Sequence, residues 1–152
     1  MKTKISLILF YIFILIISCE NEGPCSDNIV SRVNAGFYTL TGAVENKVTL
    51  NQFSMYGTLN PDSVMNGINV SKFDFPMSMH KTNSIFIMTA DTLTDTLEVL
   101  YSNKLVLVSR ECGFTNNFKI LSINFTENFI DSIAVVKENA DLSDEENLKI
   151  FI

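Results

Sequence analysis

Cysteine has the most varied chemistry of the residue types in this sequence, and it occurs at positions 19, 25 and 112. A thiolate acts as a nucleophile or metal ligand when a neighbouring base or cation lowers its pKa. Neither Cys25 nor Cys112 has a histidine near it in the chain. If the chain is exported, these two form an even pair, and a disulfide across so long a loop would contribute about 4–5 kcal/mol. Two free thiols, one of them reactive, are the alternative.

His80 is the single histidine and therefore the natural candidate for a general base. A Ser-His-Asp or Cys-His site also needs a nucleophile and an orienting group, and no nucleophile elbow accompanies His80. Met77 and Met79 precede it and carry the soft ligand atoms that suit copper. Both methionines also fit an apolar strand, so we expect neither a catalytic site nor a metal site here.

Asp91 and Asp95 are close enough in the chain to share a calcium ion. Calcium takes about six to eight oxygen ligands, however, and aspartate is also a common turn residue. The chain has six glycines, and no glycine-rich phosphate loop is present. We therefore predict no cofactor, no metal and no enzymatic activity. An enzyme whose site is not recognisable from sequence is the alternative.

The N-terminal residues have the pattern of an export signal. Lys2 and Lys4 are followed by an almost wholly apolar segment over residues 5–17. This length is short for a membrane span but fits the apolar region of a secretory signal peptide. Ser18 supplies a small residue before a cleavage point, and Cys19 follows it directly.

An apolar run, a small residue and then Cys resemble the lipobox of bacterial lipoproteins, in which the Cys thiol is acylated and the chain is cut before it. The resemblance implies a signal peptide over residues 1–18 and a lipid anchor, with palmitate as an acyl chain, on Cys19. Two acyl chains anchor a protein stably where one does not. An ordinary signal peptide and an uncleaved anchor are the alternatives.

The charge balance is acidic, with 11 basic residues, 17 acidic residues and a net charge of −6. A nucleic-acid interface needs a basic face, so a nucleic-acid partner is excluded. Cleavage before Cys19 removes Lys2 and Lys4 but no acidic residue, which changes the net charge from −6 to −8. Because anionic lipid repels such a chain, we expect the lipid anchor alone to hold it to the membrane, with its body in solvent.

Residues 19–26 form a short polar tether between the lipid and the folded body. Its acidic residues, Glu20 and Glu22, resemble the surface-export signal of Bacteroidota lipoproteins. The same residues would also serve as a soluble linker. The sequence therefore predicts an outer-membrane lipoprotein of the cell envelope and leaves its periplasmic or surface face open.

The remaining residues, 27–152, show the alternation of apolar and polar residues that is typical of β-strands. A change of apolar phase near residues 51–52 predicts a β-bulge. Polar segments predict turns at residues 91–95, 102–103 and 126–128.

A continuous apolar segment at residues 105–108 predicts a buried strand. About seven or eight short strands are expected in total. We predict a single all-β domain, an antiparallel two-sheet sandwich of which the immunoglobulin fold is one arrangement.

Two segments of the body resemble a known family. Residues 95–101 read DTLEVLY, and residues 107–114 read LVSRECGF. With the last strand, at residues 148–152, they resemble the small Bacteroidota lipoproteins grouped as domain of unknown function 6452. The resemblance implies the fold and the location of a lipoprotein. It implies no activity, because none is established for the family.

The second of these segments has an expected structural role. Cys112 would tie an apolar strand to the tether-proximal segment at Cys25. Gly113 would let the chain turn with a positive φ directly after the bridge. Phe114 is then expected to fold back onto the core.

Four of the eight aspartates begin a common pattern of Asp, hydroxyl residue and apolar residue. The pattern resembles the O-glycosylation motif of Bacteroidota envelope proteins, with acceptors at Ser63, Thr92, Thr96 and Ser132. A turn aspartate followed by a β-forming residue is also how many strands begin, which produces the same pattern without modification. Loop hydroxyls are the accessible ones, so Ser63 and Thr92 are the better candidates.

Together these patterns predict a lipid-anchored envelope lipoprotein whose domain is a non-catalytic binding or structural module. Its partner would be an envelope protein, recruited for example along a sandwich edge strand, or a glycan. The chain has twelve Phe, four Tyr and no Trp, a composition that favours core filling over a sugar-stacking platform.

Overall fold

The structure, a computed structural model, describes Cys25, residues 29–58 and residues 63–152. The predicted signal peptide, the predicted acylation site Cys19 and most of the polar tether lie outside the described residues. The regular elements of the described chain are all β-strands. No helix within it is long and apolar enough to cross a membrane.

Eleven strands occur in the described chain, more than the seven or eight that the sequence predicts. In chain order they are β1 (Arg32–Thr41), β2 (Val44–Lys47), β3 (Leu50–Gly57), β4 (Ser63–Val70), β5 (Lys72–Pro76), β6 (Asn83–Ala90), β7 (Leu93–Ser109), β8 (Gly113–Phe125), β9 (Ser132–Val135), β10 (Asn139–Ala140) and β11 (Leu148–Phe151). The difference arises mainly from short strands at sheet edges, since β2, β9 and β10 have only four, four and two residues.

The strands form two sheets, which confirms the predicted all-β sandwich. Sheet A has the order β2–β1–β11–β9, with β5 also paired to β1. Sheet B has the order β10–β8–β7–β6–β3–β4. Among the described strands, β1 and β11 alone pair in parallel, which is an exception within the antiparallel sandwich that the sequence predicts. A parallel pair needs a long connection between its strands, and here almost the whole domain provides it.

Aromatic side chains from both sheets fill the space between them. Phe37 of β1 contacts Phe53 of β3 with ring centroids 5.1 Å apart, and Phe75 of β5 contacts Phe86 of β6 at 4.9 Å. All four rings are buried. Both contacts are edge-to-face, a geometry that adds to the stabilisation from burial. The two sheets therefore share one core.

The turn predicted at residues 102–103 is wrong. β7 continues through them for 17 residues in all, because β8 pairs with it along most of its length. The hairpin turn lies instead at residues 110–112, directly before β8. The prediction of a buried strand at residues 105–108 is also wrong, since Leu105 and Leu107 are exposed near the tip of this hairpin.

The other local predictions have mixed outcomes. The bulge near residues 51–52 is confirmed by a shift of register between β3 and β4. A turn within residues 91–95 is confirmed where β6 joins β7. Residues 126–128 do not close a hairpin, because β8 and β9 belong to different sheets and this segment carries the chain from sheet B to sheet A.

Candidate functional site

A cleft of about 540 Å³ opens at the end of the sandwich where β6 turns into β7. The segment around the start of β3, the loop after β8 and residue 152, which follows β11, also contribute to it. The lining residues are Thr49, Leu50, Asn51, Gln52, Ala90, Asp91, Leu93, Phe129 and Ile152. Its volume lies in the range of about 300–1,000 Å³ that is usual for small-molecule sites.

Two residues of this cleft have an unfavourable backbone conformation. Gln52 has φ 51° and Asp91 has φ 54°, and they are the only non-glycine residues of the described chain with positive φ. A left-handed conformation costs a residue with a side chain about 1–3 kcal/mol and persists only where the surroundings enforce it. Such residues cluster at binding sites, so their coincidence in one cleft makes it the candidate functional site.

Local pairing explains both conformations. Gln52 lies at the bulge where β3 changes register against β4, and its backbone N–H donates a hydrogen bond to Asn69 Oδ1 at 3.1 Å. Asp91 lies in the short turn between β6 and β7. Aspartate tolerates the left-handed region better than most residues do. Gln52 is therefore the more strained of the two.

The cleft combines polar and apolar groups. Asn51 and Gln52 supply amide groups, and Thr49 supplies a hydroxyl group. Asp91 supplies an exposed carboxylate, while the half-buried ring of Phe129 supplies apolar surface. Apolar surface with a few hydrogen-bonding groups is the usual composition of a site that binds and orients a small polar ligand.

Asp95 positions the loop that contributes Phe129 to the cleft. Its side chain is buried in β7. The carboxylate accepts hydrogen bonds from the backbone N–H groups of Phe129 at 2.8 Å and Ile130 at 3.0 Å. It also accepts hydrogen bonds from the N–H of Asn128 at 2.9 Å and from Thr126 Oγ1 at 2.5 Å. Four residues of one loop are thus held by one side chain.

These hydrogen bonds also determine the charge state of Asp95. Burial alone would raise the pKa of its carboxyl group, because a charged carboxylate loses hydration there. The hydrogen bonds from the Thr126 hydroxyl and from the loop N–H groups outweigh this effect and lower the pKa below its usual value. Asp95 is therefore a charged group with a structural role.

The residues considered for metal binding do not come together. Asp91 is exposed in its turn, whereas both carboxylate oxygens of the buried Asp95 already accept hydrogen bonds. Met77 belongs to the core, while Met79 and His80 are exposed. Within the described part of the chain, no three His, Cys, Asp or Glu side chains are grouped as a metal site.

Cys25 and Cys112 form a disulfide with their Cα atoms 4.9 Å apart. Cys112 lies in the β7–β8 turn, and Gly113 follows it with φ 74°, as the sequence predicts. Phe114 does not fold back onto the core, because it lies on the exposed end of the hairpin. The bridge and the cleft are at opposite ends of β7, whose 17 residues span about 50 Å.

The four predicted O-glycosylation acceptors lie in different environments. Thr92 is exposed in the β6–β7 turn beside the cleft. Ser132 is exposed at the start of β9, an edge strand of sheet A, and is more accessible than its expected strand position indicates. Thr96 is half-buried in β7, inside sheet B. Ser63 begins β4, and its side chain lies outside the described part of the structure. Modification itself stays a prediction.

Sequence reasoning missed two features of these sites. The first is the positive φ of Gln52. The predicted bulge at residues 51–52 indicated an irregular backbone there, but the alternation of apolar residues carries no information about the sign of φ. Tyr101 is buried, and its hydroxyl lies 3.0 Å from Ser84 Oγ and donates a hydrogen bond to the carbonyl oxygen of Ser78 at 2.9 Å. Tyr101 thereby holds the segment between β5 and β6 against β7. This second feature joins residues far apart in the chain, so no local sequence pattern predicts it.

Fold and cleft together define a β-sandwich with one disulfide-linked end and a ligand-sized cleft at the other. Residues 52–152 match the model of the family of unknown function DUF6452, and the chain belongs to this family. The match confirms the membership of domain of unknown function 6452 that residues 95–101, 107–114 and 148–152 predict. It includes Asp95 and Cys112 and begins after Cys25. No curated protein and no solved structure is significantly similar to the chain.

Proposed function

We propose that the protein is a lipid-anchored lipoprotein of the bacterial outer membrane whose β-sandwich is a non-catalytic binding module. The observation that carries the binding role is the cleft in which Gln52 and Asp91 both keep a positive φ. In a purely structural module, replacing such residues by glycine would relieve the strain and raise stability. A binding site retains the strain because it positions the side chains that contact the ligand.

The anchoring part of the proposal rests on the N-terminal sequence. The apolar segment at residues 5–17, Ser18 and Cys19 have the order of a lipobox. The disulfide of Cys25 with Cys112 supports export, because such bonds persist in oxidising compartments. With the anchor near the disulfide, the cleft would lie about 50 Å away along β7 and would project from the membrane.

Anchoring is tested by metabolic labelling with a clickable palmitate analogue in a bacterial host. Cys19→Ala should abolish the label and stop normal maturation, because the thiol that receives the lipid is lost. Cys25→Ala is the matched control, since it removes a cysteine six positions away and should keep the label. Labelling of Cys19→Ala to the level of the original chain would contradict the proposal.

The partner is an envelope protein or a glycan. An envelope glycan is the second candidate, because the amides of Asn51 and Gln52 lie in one cleft with the ring of Phe129. Sugars are commonly bound by hydrogen bonds to their hydroxyl groups together with contact to an apolar ring.

Binding is tested with crosslinking of the protein in native envelopes and with a panel of neutral oligosaccharides. Gln52→Ala should lower the signal of any true cleft ligand, whereas Leu40→Ala, at an exposed position of β1, should leave it unchanged. Binding that both variants retain would place the partner elsewhere. Turnover of a substrate that disappears on changing one polar residue of the cleft would instead establish an enzyme.

A further inference from the structure

One end of the β7–β8 hairpin has an apolar face that the core does not cover. On β7, the side chains of Leu97, Val99 and Tyr101 share a face and are at most 1% exposed. Leu105 and Leu107 continue that face at the same two-residue spacing, yet they are 59% and 54% exposed. The face that forms the core along most of β7 is therefore open to solvent near the turn.

Two further exposed apolar residues lie beside this face. Phe114 is the direct cross-strand partner of Leu107 and is 59% exposed. Met79 is 57% exposed, and its carbonyl oxygen accepts a hydrogen bond at 2.8 Å from Nδ2 of Asn103, which lies on the same face of β7. We call Met79, Leu105, Leu107 and Phe114 the apolar hairpin end. Contiguous exposed apolar residues of this kind mark interaction surfaces.

The chain enters the domain at this same end. The disulfide joins Cys25 to Cys112 in the hairpin turn. Further along, Thr115 Oγ1 donates a hydrogen bond to the carbonyl oxygen of Ile29, and Ser31 Oγ donates one to Asn117 Oδ1 at 3.1 Å. An anchor attached to the residues just before Cys25 would therefore lie next to the apolar hairpin end.

The charge around the hairpin end differs from that of the whole chain. The hairpin end itself, residues 102–115, contains two basic side chains, Lys104 and Arg110, and one acidic side chain, Glu111, whereas Lys119 further along β8 is paired with Glu138 at 3.2 Å. The complete chain has a net charge of −6. Anionic headgroups would therefore repel most of the domain but not this hairpin end, which gives the domain a preferred orientation at a lipid surface.

We propose that, beyond the contact through lipid alone that the net charge predicts, the apolar hairpin end inserts into the surface of the bilayer to which Cys19 anchors the chain. The proposal rests on the proposed lipid anchor. Cys19 precedes Cys25 by six residues, which span at most about 20 Å, so the anchor keeps the hairpin within reach of the headgroups. Shallow burial of a few apolar side chains at the interface adds to the anchoring and orients the cleft away from the membrane.

The chain has no Trp, so the tryptophan fluorescence of a variant with one introduced Trp comes from that position alone. The Phe114→Trp variant of the mature chain, with the disulfide intact, has one free thiol, at Cys19. That thiol is coupled to a maleimide phospholipid in vesicles of phosphatidylcholine with a minor fraction of phosphatidylglycerol, all with brominated acyl chains. The matched control is Leu93→Trp at the other end of β7, a 48% exposed position that lies about 45 Å from Leu107.

Bromolipid should quench the fluorescence of Phe114→Trp several-fold more strongly than that of Leu93→Trp. Adding Leu107→Ser to Phe114→Trp should weaken the quenching, while the circular dichroism of every variant stays that of the original chain. Equal quenching of the two reporters overturns the proposal. Concentration-dependent burial of Phe114→Trp without vesicles also overturns it and assigns the face to a second copy of the chain.

Chemical coupling separates this proposal from the proposed anchor. Intact mass of protein from a bacterial host reports whether Cys19 carries acyl chains. An unmodified Cys19 refutes the proposed lipid anchor. The hairpin end would then have no membrane beside it into which it could insert. Quenching of the coupled chain fails or succeeds independently of that mass, so a failure of the hairpin alone leaves the lipid anchor standing.

Discussion

The carboxylate of Asp95 accepts a hydrogen bond from the backbone N–H of Ile130 at 3.0 Å, which links a central strand of sheet B to the loop that leads into sheet A. Ile130 is buried in the core, directly after Phe129 of the cleft. One side chain therefore supports both the joining of the two sheets and the wall of the candidate binding site.

Asp95→Asn should lower the free energy of unfolding by about 2–4 kcal/mol, because the new amide group turns a donor toward buried N–H groups that need an acceptor. Urea unfolding followed by circular dichroism measures the loss. Asp91→Asn, at an exposed turn position, is the matched control and should change stability by less than about 0.5 kcal/mol. Equal losses would show that Asp95 does not hold the loop.

Stability should depend on pH through the same carboxyl group. The pKa of Asp95 is lower in the folded state than in the unfolded state, so its ionised form stabilises the fold. This contribution is complete above the unfolded pKa of about 4 and is lost as the pH falls through the folded pKa. Unfolding measured across this acidic window should show a steeper loss for the original chain than for Asp95→Asn. Parallel curves would contradict the prediction.

Loss of the disulfide should destabilise the domain by about 2–5 kcal/mol, because the bridge removes conformations from the unfolded chain. Cys112→Ser tests this in thermal unfolding. The double variant Cys25→Ser with Cys112→Ser is the control and should lose about as much as the single variant, since one bond is broken in both. Mass spectrometry of the non-reduced protein should find the two cysteine peptides linked, and free thiols in the exported protein would refute the bridge.

Gln52→Gly should be more stable than Gln52→Ala by about 1 kcal/mol. Glycine adopts the left-handed conformation without the steric cost that any Cβ atom brings, while both variants remove the amide. Chemical denaturation compares the two proteins. Both should bind a cleft ligand more weakly than the original chain does. A glycine variant less stable than the alanine variant would show that the backbone at position 52 is not strained.

O-glycosylation should be detectable at Thr92, the exposed turn hydroxyl beside the cleft. Intact mass of protein from its native host should exceed polypeptide plus lipid by the mass of a glycan. Thr92→Val should lower the mass by that glycan, whereas Thr96→Val, at a half-buried position of β7, should not. A mass equal to polypeptide plus lipid would leave the four aspartate motifs as strand starts.

Several features could be predicted because they depend on neighbours in the chain. Alternation of apolar residues follows directly from the two-residue period of a strand. The all-β class and the bulge at residues 51–52 could therefore be predicted. The positive φ of Gly113 follows from a tight turn. Leu105 and Leu107 were placed wrongly because an apolar run has the same pattern whether or not a second sheet covers it.

The strand-forming character of the body, the candidate pair of cysteines and the acidic charge could all be predicted, because each depends only on residue type and order. The parallel pairing of β1 with β11, the loop held by an aspartate about 30 residues earlier in the chain, and the cleft shared by Gln52 and Asp91 could not be predicted. These relationships join residues far apart in sequence. Their energies come from packing and from hydrogen bonds that exist only once the two sheets have met.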